Sequence, residues 1–446
     1  MKNPIAKLLG ILPPGARLVV GGTVVLGASA YVYMALVGYS LGTAGAARVT
    51  MLWTIVMSVG WGLFQPVELE LTRLVAARKV AGAGALPAVR RMLLLALAIL
   101  AGACGVLAAA ARPIADLLFS GDTSLVLALA GGLAGLAVSS VSRGALAGLG
   151  LFGPYGTQLA VDGALRIGLA ALTAVVGLHS ALAFGLILVV APVAAALIGL
   201  RGILADRAPG PEVAWKELTG GLGLLIASVM LSQLVVNATV VCVRLLAPKH
   251  SEASDALVFA LGQAVVMARV PLFAYSALQA SMVSALSGAA AAGDHGEFRK
   301  VLTRTTAVVA AMCIGGGLPV IALGAWLNPL LFNAKDLLGP LDFTWLVLGT
   351  LCYVLATVFG QALMSRSQHR LQLVGWGAGS VALVAVACAP GAVGLRAELA
   401  YLAGAAVSAV LMLWALYRAM PSRPRPSGHA RPRPDGDRAT EPLHTP

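Results

Sequence analysis

Charge is what this sequence has least of. Charged residues make up 11% of its 446 positions, against roughly 25% in an ordinary soluble domain. A globule of this length could not solvate its surface with so few charges. With 59% hydrophobic residues and a mean hydropathy of +0.90, a soluble enzyme and a disordered chain are both excluded. The five cysteines (Cys104, Cys242, Cys313, Cys352 and Cys388) all lie in apolar stretches and form no CxxC pair. Neither a zinc site nor a disulfide framework therefore has support. No GK(S/T) phosphate loop occurs, so this chain is not expected to hydrolyse ATP. None of the six histidines (His179, His250, His295, His369, His429, His444) falls inside an apolar run, which argues against a histidine proton relay.

What is present is a series of apolar runs. About 20 apolar residues cross a bilayer, and the intervening loops place spans near 18–42, 49–76, 92–111, 124–142, 155–177, 180–200, 218–246, 256–288, 305–326, 341–364, 371–393 and 397–417. The expected fold is an all-α polytopic membrane protein with twelve transmembrane helices in two six-helix lobes, residues 1–205 and 206–420. The first run follows Lys2, Lys7 and Arg17 and lacks the short apolar region of a cleaved signal, so it reads as a retained span. Residues 421–446 are rich in Pro, Arg and Gly and read as a disordered basic tail.

The net charge of +13 could suggest nucleic acid, but the basic residues form short clusters between apolar runs. That is the pattern of membrane orientation. With twelve spans and the N-terminus inside, 23 of the 31 Lys and Arg fall on the cytoplasmic side and six outside. Both termini are therefore expected in the cytoplasm, in a plasma or bacterial inner membrane. The two remaining cations, Arg166 and Arg269, lie within spans.

The halves echo one another. GALPAVRRM from Gly84 and GDHGEFRKV from Gly293 share Gly-x5-Arg-(Arg/Lys) at an offset of 209. Pro113 with the LLF at Leu117 and Pro329 with the LLF at Leu330 follow, and then GALAG from Gly144 faces QALMS from Gln361. Six spans per half give repeats of the same orientation, an arrangement that places a substrate cavity between the halves. Gly131/Gly135, Gly144/Gly148 and Gly375/Gly379 are spaced for close helix packing within the chain. Trp53, Trp326, Trp345, Trp376 and Trp414 are expected at helix ends as interfacial anchors.

Charges inside a bilayer are costly unless paired or wet, and so mark candidate sites. Asp162 and Arg166 stand i, i+4 on the fifth span, either as a self-neutralised pair or as cavity groups. Arg269 precedes Pro271 in the eighth span, with no acid within a helical turn. The proline should kink that helix, and the arginine is expected to line the cavity. Gln233 and Asn237, i, i+4 on the seventh span, read equally as cavity lining or helix glue. Glu68, Glu70 and Arg73, just after Pro66, sit near the interface, where they either snorkel or form a gate. An arginine fork suits phosphate, whereas a carrier of cationic drugs needs acidic groups.

Three stretches resemble a known family. RGALAGLGLFGPYGTQLAVDGALR (143–166), GD-x3-F-R-x-(V/L)-L from Gly293, and FQPVELELTR (64–73) are similar to polysaccharide-type flippases of the multidrug/oligosaccharidyl-lipid/polysaccharide (MOP) exporter superfamily. The resemblance covers about residues 15–418. It implies a V-shaped cavity between two lobes, alternating access, no covalent chemistry and no cofactor. It also implies undecaprenyl-pyrophosphate-linked oligosaccharide as cargo, membrane lipids as surroundings, and a polysaccharide polymerase and glycosyltransferases as partners. The Gly-x3-Asp-Arg-like pattern of major-facilitator loops is absent. The rival readings are a cation-coupled multidrug antiporter of the same superfamily, with Asp162 and Glu68 as its acids, and a non-transporting membrane scaffold. A reporter active only in the cytoplasm should be active when fused after Arg91, Arg207 or Arg304 and silent at Asp122 or Ser254. Activity at Asp122 would contradict twelve spans.

Overall fold

The computed structural model describes residues 14–205, 210–248 and 251–419; the expected disordered tail, 421–446, lies outside them. Fifteen helices follow in chain order: α1 Pro14–Ser40, α2 Thr43–Val80, α3 Leu86–Ala109, α4 Ala111–Leu118, α5 Thr123–Gly148, α6 Phe152–Val175, α7 Ala181–Leu204, α8 Trp215–Thr219, α9 Leu222–Leu246, α10 Glu252–Ala268, α11 Val270–Ala291, α12 His295–Phe332, α13 Pro340–Ser365, α14 His369–Ala387 and α15 Val393–Ala419. Twelve stretches among the described residues are long and apolar enough to cross a membrane. The helix boundaries follow local chemistry. Asp122, Ser180 and Asp294 each accept a hydrogen bond from a first-turn N–H of α5, α7 and α12, as N-caps do. Gly150, Gly177 and Gly293 carry the positive φ of the turns after α5, α6 and α11.

A bilayer is the only solvent that suits this surface. Only 11% of the apolar stretch of α3 is buried in the protein, and Leu94, Leu97 and Val106 stand exposed on it. An apolar helix so uncovered needs hydrocarbon around it.

The repeat is visible in three dimensions. The two Gly-x5-Arg-(Arg/Lys) motifs lead into α3 and α12, and the GALAG and QALMS stretches close α5 and α13. Packing repeats as well: α1 lies on α6 as α9 lies on α14, and α5 on α7 as α13 on α15. Helices α1–α7 form one half and α9–α15 the other, joined chiefly by α2 against α9 and α10. The segment between them is seated on the first half: Val213 and Leu218 are buried beside Leu71, Leu74 and Val89, and Arg91 holds Glu212 and the Val213 carbonyl.

The eighth span departs from the expected single helix. It breaks at Arg269 (φ −86°, ψ 1°) between α10 and α11, because Pro271 has no N–H to continue the ladder. Conversely, α2 and α12 run 38 residues each, with Pro66, Pro319 and Pro329 inside them. Both are longer than a bilayer needs.

Excluding the linker, the side-chain hydrogen bonds seen between the halves among the described residues include a set away from the end of the molecule that carries Pro14 and Ala419. They run from Tyr31 to the Val266 carbonyl (2.9 Å), from Tyr39 to Leu330 (2.6 Å), from Asn333 to Gly38 (3.1 Å), from Gln263 to Thr50 (3.3 Å) and Met34, and from Arg244 to Leu117 and Ser120. This far face is sealed by direct contact: a Cβ on Gly38 would sit 1.8 Å from the Phe332 carbonyl oxygen.

The small-residue pairs pack within the chain as expected. Gly131 and Gly135 receive Val189 and Pro192, Gly144 and Gly148 receive Glu68, Thr72 and Val75, and Gly375 and Gly379 receive Met412 and Ser408. A Cβ on Gly379 would meet Ser408 Oγ at 1.9 Å and the Gly404 carbonyl at 2.5 Å. Gly379→Ala should therefore cost about 1–3 kcal/mol by overpacking, read as a lower melting temperature of the detergent-solubilised protein. Gly168→Ala, which meets nothing within 4 Å, should leave it unchanged.

Candidate functional site

Helix α6 carries a polar file down one face. Tyr155, Gln158, Asp162 and Arg166 recur at i, i+3, i+7 and i+11, a helical stripe, and the last three are at most 5% exposed. Asp162 and Arg166 make the two-pronged pair that their spacing predicts, Nε to Oδ1 at 2.9 Å and Nη2 to Oδ2 at 3.0 Å. The Arg166 guanidinium stacks 5.5 Å from the Trp53 ring, and Trp53 in turn stacks on Tyr33 at 5.3 Å. Tyr33 is fully buried and donates to the Phe184 carbonyl at 2.8 Å.

Nearer the terminal face the file meets a second ion pair. Arg143 is 7% exposed and donates through Nε to Glu68 Oε2 at 3.0 Å and to the hydroxyls of Ser139 and Ser140. Tyr155 donates to the other Glu68 oxygen at 3.3 Å. Gln158 accepts from Ser142 and donates to Ser139. Each buried charge here has its partner, as low-dielectric surroundings demand. The expected Glu68–Glu70–Arg73 cluster is divided: Glu68 turns inward to Arg143, while Glu70 pairs with the exposed Arg73 at 2.5 Å.

The second half brings Arg269, Asn237 and Gln233 together. The Arg269 guanidinium Nη2 donates to Asn237 Oδ1 at 3.0 Å and to the Val236 carbonyl. Asn237 donates to Gln233 Oε1 at 3.2 Å. Tyr31, Tyr353 and Tyr401 lie within electrostatic reach of the guanidinium. Arg269 is partly exposed, its Nε is buried without an acceptor, and among the described residues it has no carboxylate partner. The break in the eighth span accounts for its placement: Tyr31 binds the carbonyl of Val266 in the last turn of α10, and Arg269 leaves the helix axis to reach α9.

Two further groups were not evident from spacing. Arg244, one of the six cations that the sequence places on the outer side, is buried and paired with the buried Asp255 at 2.8 Å. Glu398, six residues into α15, is fully buried with both carboxylate oxygens unpartnered among the described residues, and Asp342 is its charged neighbour. Trp53 and Trp376 are not interfacial anchors, since the first carries Arg166 and the second is buried against Tyr353 at 5.5 Å. Trp326 and Trp414 are exposed, as anchors would be. No group of three or more metal-ligating side chains occurs among the described residues.

Removing one member of a buried pair strands the other. Asp162→Ala should cost about 3–5 kcal/mol of stability, and Asp162→Ala with Arg166→Ala distinctly less. Thermal unfolding of the two variants in detergent checks the difference. Equal losses would show that Asp162 is not stabilised chiefly by Arg166.

No family model matches the chain. Two uncharacterized Mycobacterium tuberculosis proteins are 26% identical to it over 300 residues, 64% of this chain. The chain spans 65% of the length of these curated relatives. Among solved structures, the inward-facing conformation of a multidrug resistance MATE family transporter of the MOP superfamily aligns with a TM-score of 0.70 at 14% identity, covering 88% of this chain and 94% of the other. The outward-facing conformation of such a transporter gives 0.63 at 13% identity, covering 91% and 98%. The lipid II flippase MurJ, inward closed, gives 0.61 at 10% identity, covering 90% and 87%. This protein has the fold of these MATE and MurJ structures, with twelve stretches among its described residues long and apolar enough to cross a membrane.

Proposed function

We propose that this protein is an exporter of the MOP type that moves a lipid-linked oligosaccharide across the membrane by alternating access. Its termini lie in the cytoplasm, and a polymerase and glycosyltransferases act beside it. The observation that carries this reading is Arg269. The three buried arginines Arg143, Arg166 and Arg244 are each neutralised by a carboxylate. Arg269, held among the described residues by the neutral Asn237 and Val236 oxygens and by no carboxylate, keeps an uncompensated positive charge where the halves meet. A planar guanidinium in that state suits a pyrophosphate, which accepts its hydrogen bonds in parallel pairs. Gln233, Asn237 and the neighbouring tyrosines suit sugar hydroxyls. Asp162 and Arg166, already satisfied by each other, serve this reading by shaping the first half. Glu68, with Arg143, forms the cytoplasmic gate beside Glu70 and Arg73.

The resting state supports the same cycle. The bonds between the halves on the far face support a cavity that opens toward the termini in this state. A head group enters there while its lipid tail stays in the bilayer. The protein performs no covalent chemistry in this scheme.

One observation favours a second reading, a cation-coupled multidrug antiporter. Glu398 is a buried carboxyl beside Asp342 whose oxygens have no hydrogen-bond donor among the described residues, the type of group that can bind a coupling cation in a membrane.

Reconstituted vesicles separate the two. With a fluorescent polyprenyl-pyrophosphate oligosaccharide, wild-type protein should carry the head group across. Arg269→Ala should lower the rate by roughly tenfold or more, the worth of charge-assisted hydrogen bonds, at nearly unchanged melting temperature. Arg269→Lys should recover part of the rate. Undiminished transport by Arg269→Ala would remove Arg269 from the cargo site, and Glu398-dependent uptake of an organic cation without glycolipid transport would favour the antiporter.

A further inference from the structure

Among the described residues, Arg244 is an ionised group that reaches across the far-face seal. Arg244, in the last turn of α9, spends its guanidinium on three partners. Nη1 donates to Asp255 Oδ1 at 2.8 Å, Nη2 to Ser120 Oγ at 2.6 Å, and Nε to the Leu117 carbonyl at 3.2 Å. Asp255 belongs to the first turn of α10, in the same half as Arg244. Ser120 and Leu117 belong to the other half. The side chains of Arg244 and Asp255 are 7% and 8% exposed, so the contact is dry.

The receiving turn is rigid. Phe119 is fully buried, Ser120 and Gly121 both take positive φ (55° and 87°), and the N–H groups of Phe119 and Gly121 both bond to the Ala115 carbonyl. Asp122 closes the turn by capping α5 through Ser124 N at 3.1 Å and by holding Arg48 at 3.4 Å. The side chain of Ser120 is therefore presented from a backbone that tertiary contacts fix, a placement a non-glycine residue tolerates only under such constraint.

The division of partners is informative. The opposite charge lies in the half that owns Arg244, and only neutral acceptors lie across the seam. Separating the halves here would break two hydrogen bonds and strand no charge, because Arg244 would leave still paired with Asp255. A charge pair split across the seam would instead leave two uncompensated ions on opening. Bistable elements need a closed state that is favoured but can be left.

We propose that Arg244 is the latch of the far face: positioned by Asp255, it locks the halves together through Ser120 and the Leu117 carbonyl, and lets both go when the far face opens. This requires only that the halves move, whatever the cargo, so failure of the glycolipid reading leaves it standing and its own failure leaves that reading untouched.

The test is a distance distribution across the far face. Spin labels at the exposed positions Arg112 and Leu337, one on each half, are read by pulsed electron resonance in lipid nanodiscs. Ser120→Ala keeps the ion pair and removes one seam bond. It should raise the ratio of long to short distances roughly tenfold with little change in melting temperature. Arg244→Gln should raise it further. Lys335→Gln, which breaks the exposed Lys335–Glu252 pair within one half, should leave it unchanged. An unaltered distribution in folded Ser120→Ala overturns the latch, whether or not Arg244→Gln folds. An equal increase in Lys335→Gln also overturns it, because loosening would then not be specific to the seam.

Discussion

A guanidinium in a membrane protein must be given acceptors, and that requirement orders much of this molecule. Burying it unpaired costs several kcal/mol. Arg143 takes Glu68 and two serines, Arg166 takes Asp162 and the Trp53 ring, and Arg244 takes Asp255 and two acceptors across the seam. Glu68 with Arg143 joins α2 to α5 and Arg244 with Asp255 joins α9 to α10, while the Asp162–Arg166 pair lies within α6 and reaches α2 through the Trp53 ring, so the charges fix which helices meet as well as being neutralised. Arg396, in the first turn of α15, caps the carbonyls of Ala387 and Ala389 near the membrane edge. Arg269 differs from all of these because it lies deep between the halves with neutral acceptors alone among the described residues.

The helix break that releases Arg269 also divides the eighth span into two parts with different neighbours. Helix α10 packs on α2 and receives the Tyr31 bond, while α11 packs on α12 and α13. A proline two residues beyond Arg269 thus separates a part tied to the seam from a part tied to its own half. The same arginine stands at the joint and at the proposed cargo site. Charge, backbone break and seam meet at one residue.

Much of this was legible in the sequence because it depends on local spacing. Apolar run length sets the spans, and the i, i+4 separations of Asp162 with Arg166 and of Gln233 with Asn237 bring those side chains together on single helices. The weak Gly-x5-Arg motif marks the start of equivalent helices 209 residues apart. What was not legible depends on contacts between distant segments. Glu68 and Arg143 are 75 residues apart, and no spacing rule says that Glu68 turns inward while Glu70 turns to Arg73. Arg244 and Asp255 lie near helix ends 11 residues apart, and no spacing rule pairs them or sets Arg244 against Leu117 and Ser120. Trp53 reads as an anchor until Arg166 arrives from another helix. Glu398 gives no local signal at all.

The proposed selection of an anionic head group rests on the uncompensated charge at the seam. Its most direct measurement is binding to the purified protein, without transport or energy coupling. Native mass spectrometry with equal amounts of a polyprenyl pyrophosphate, the matching polyprenol and an organic dye cation compares the three chemistries in one sample. Retention of the pyrophosphate over both others, lost in Arg269→Ala, is the expected result. Retention of the polyprenol equally with the pyrophosphate, or of the dye in preference to both, would contradict it.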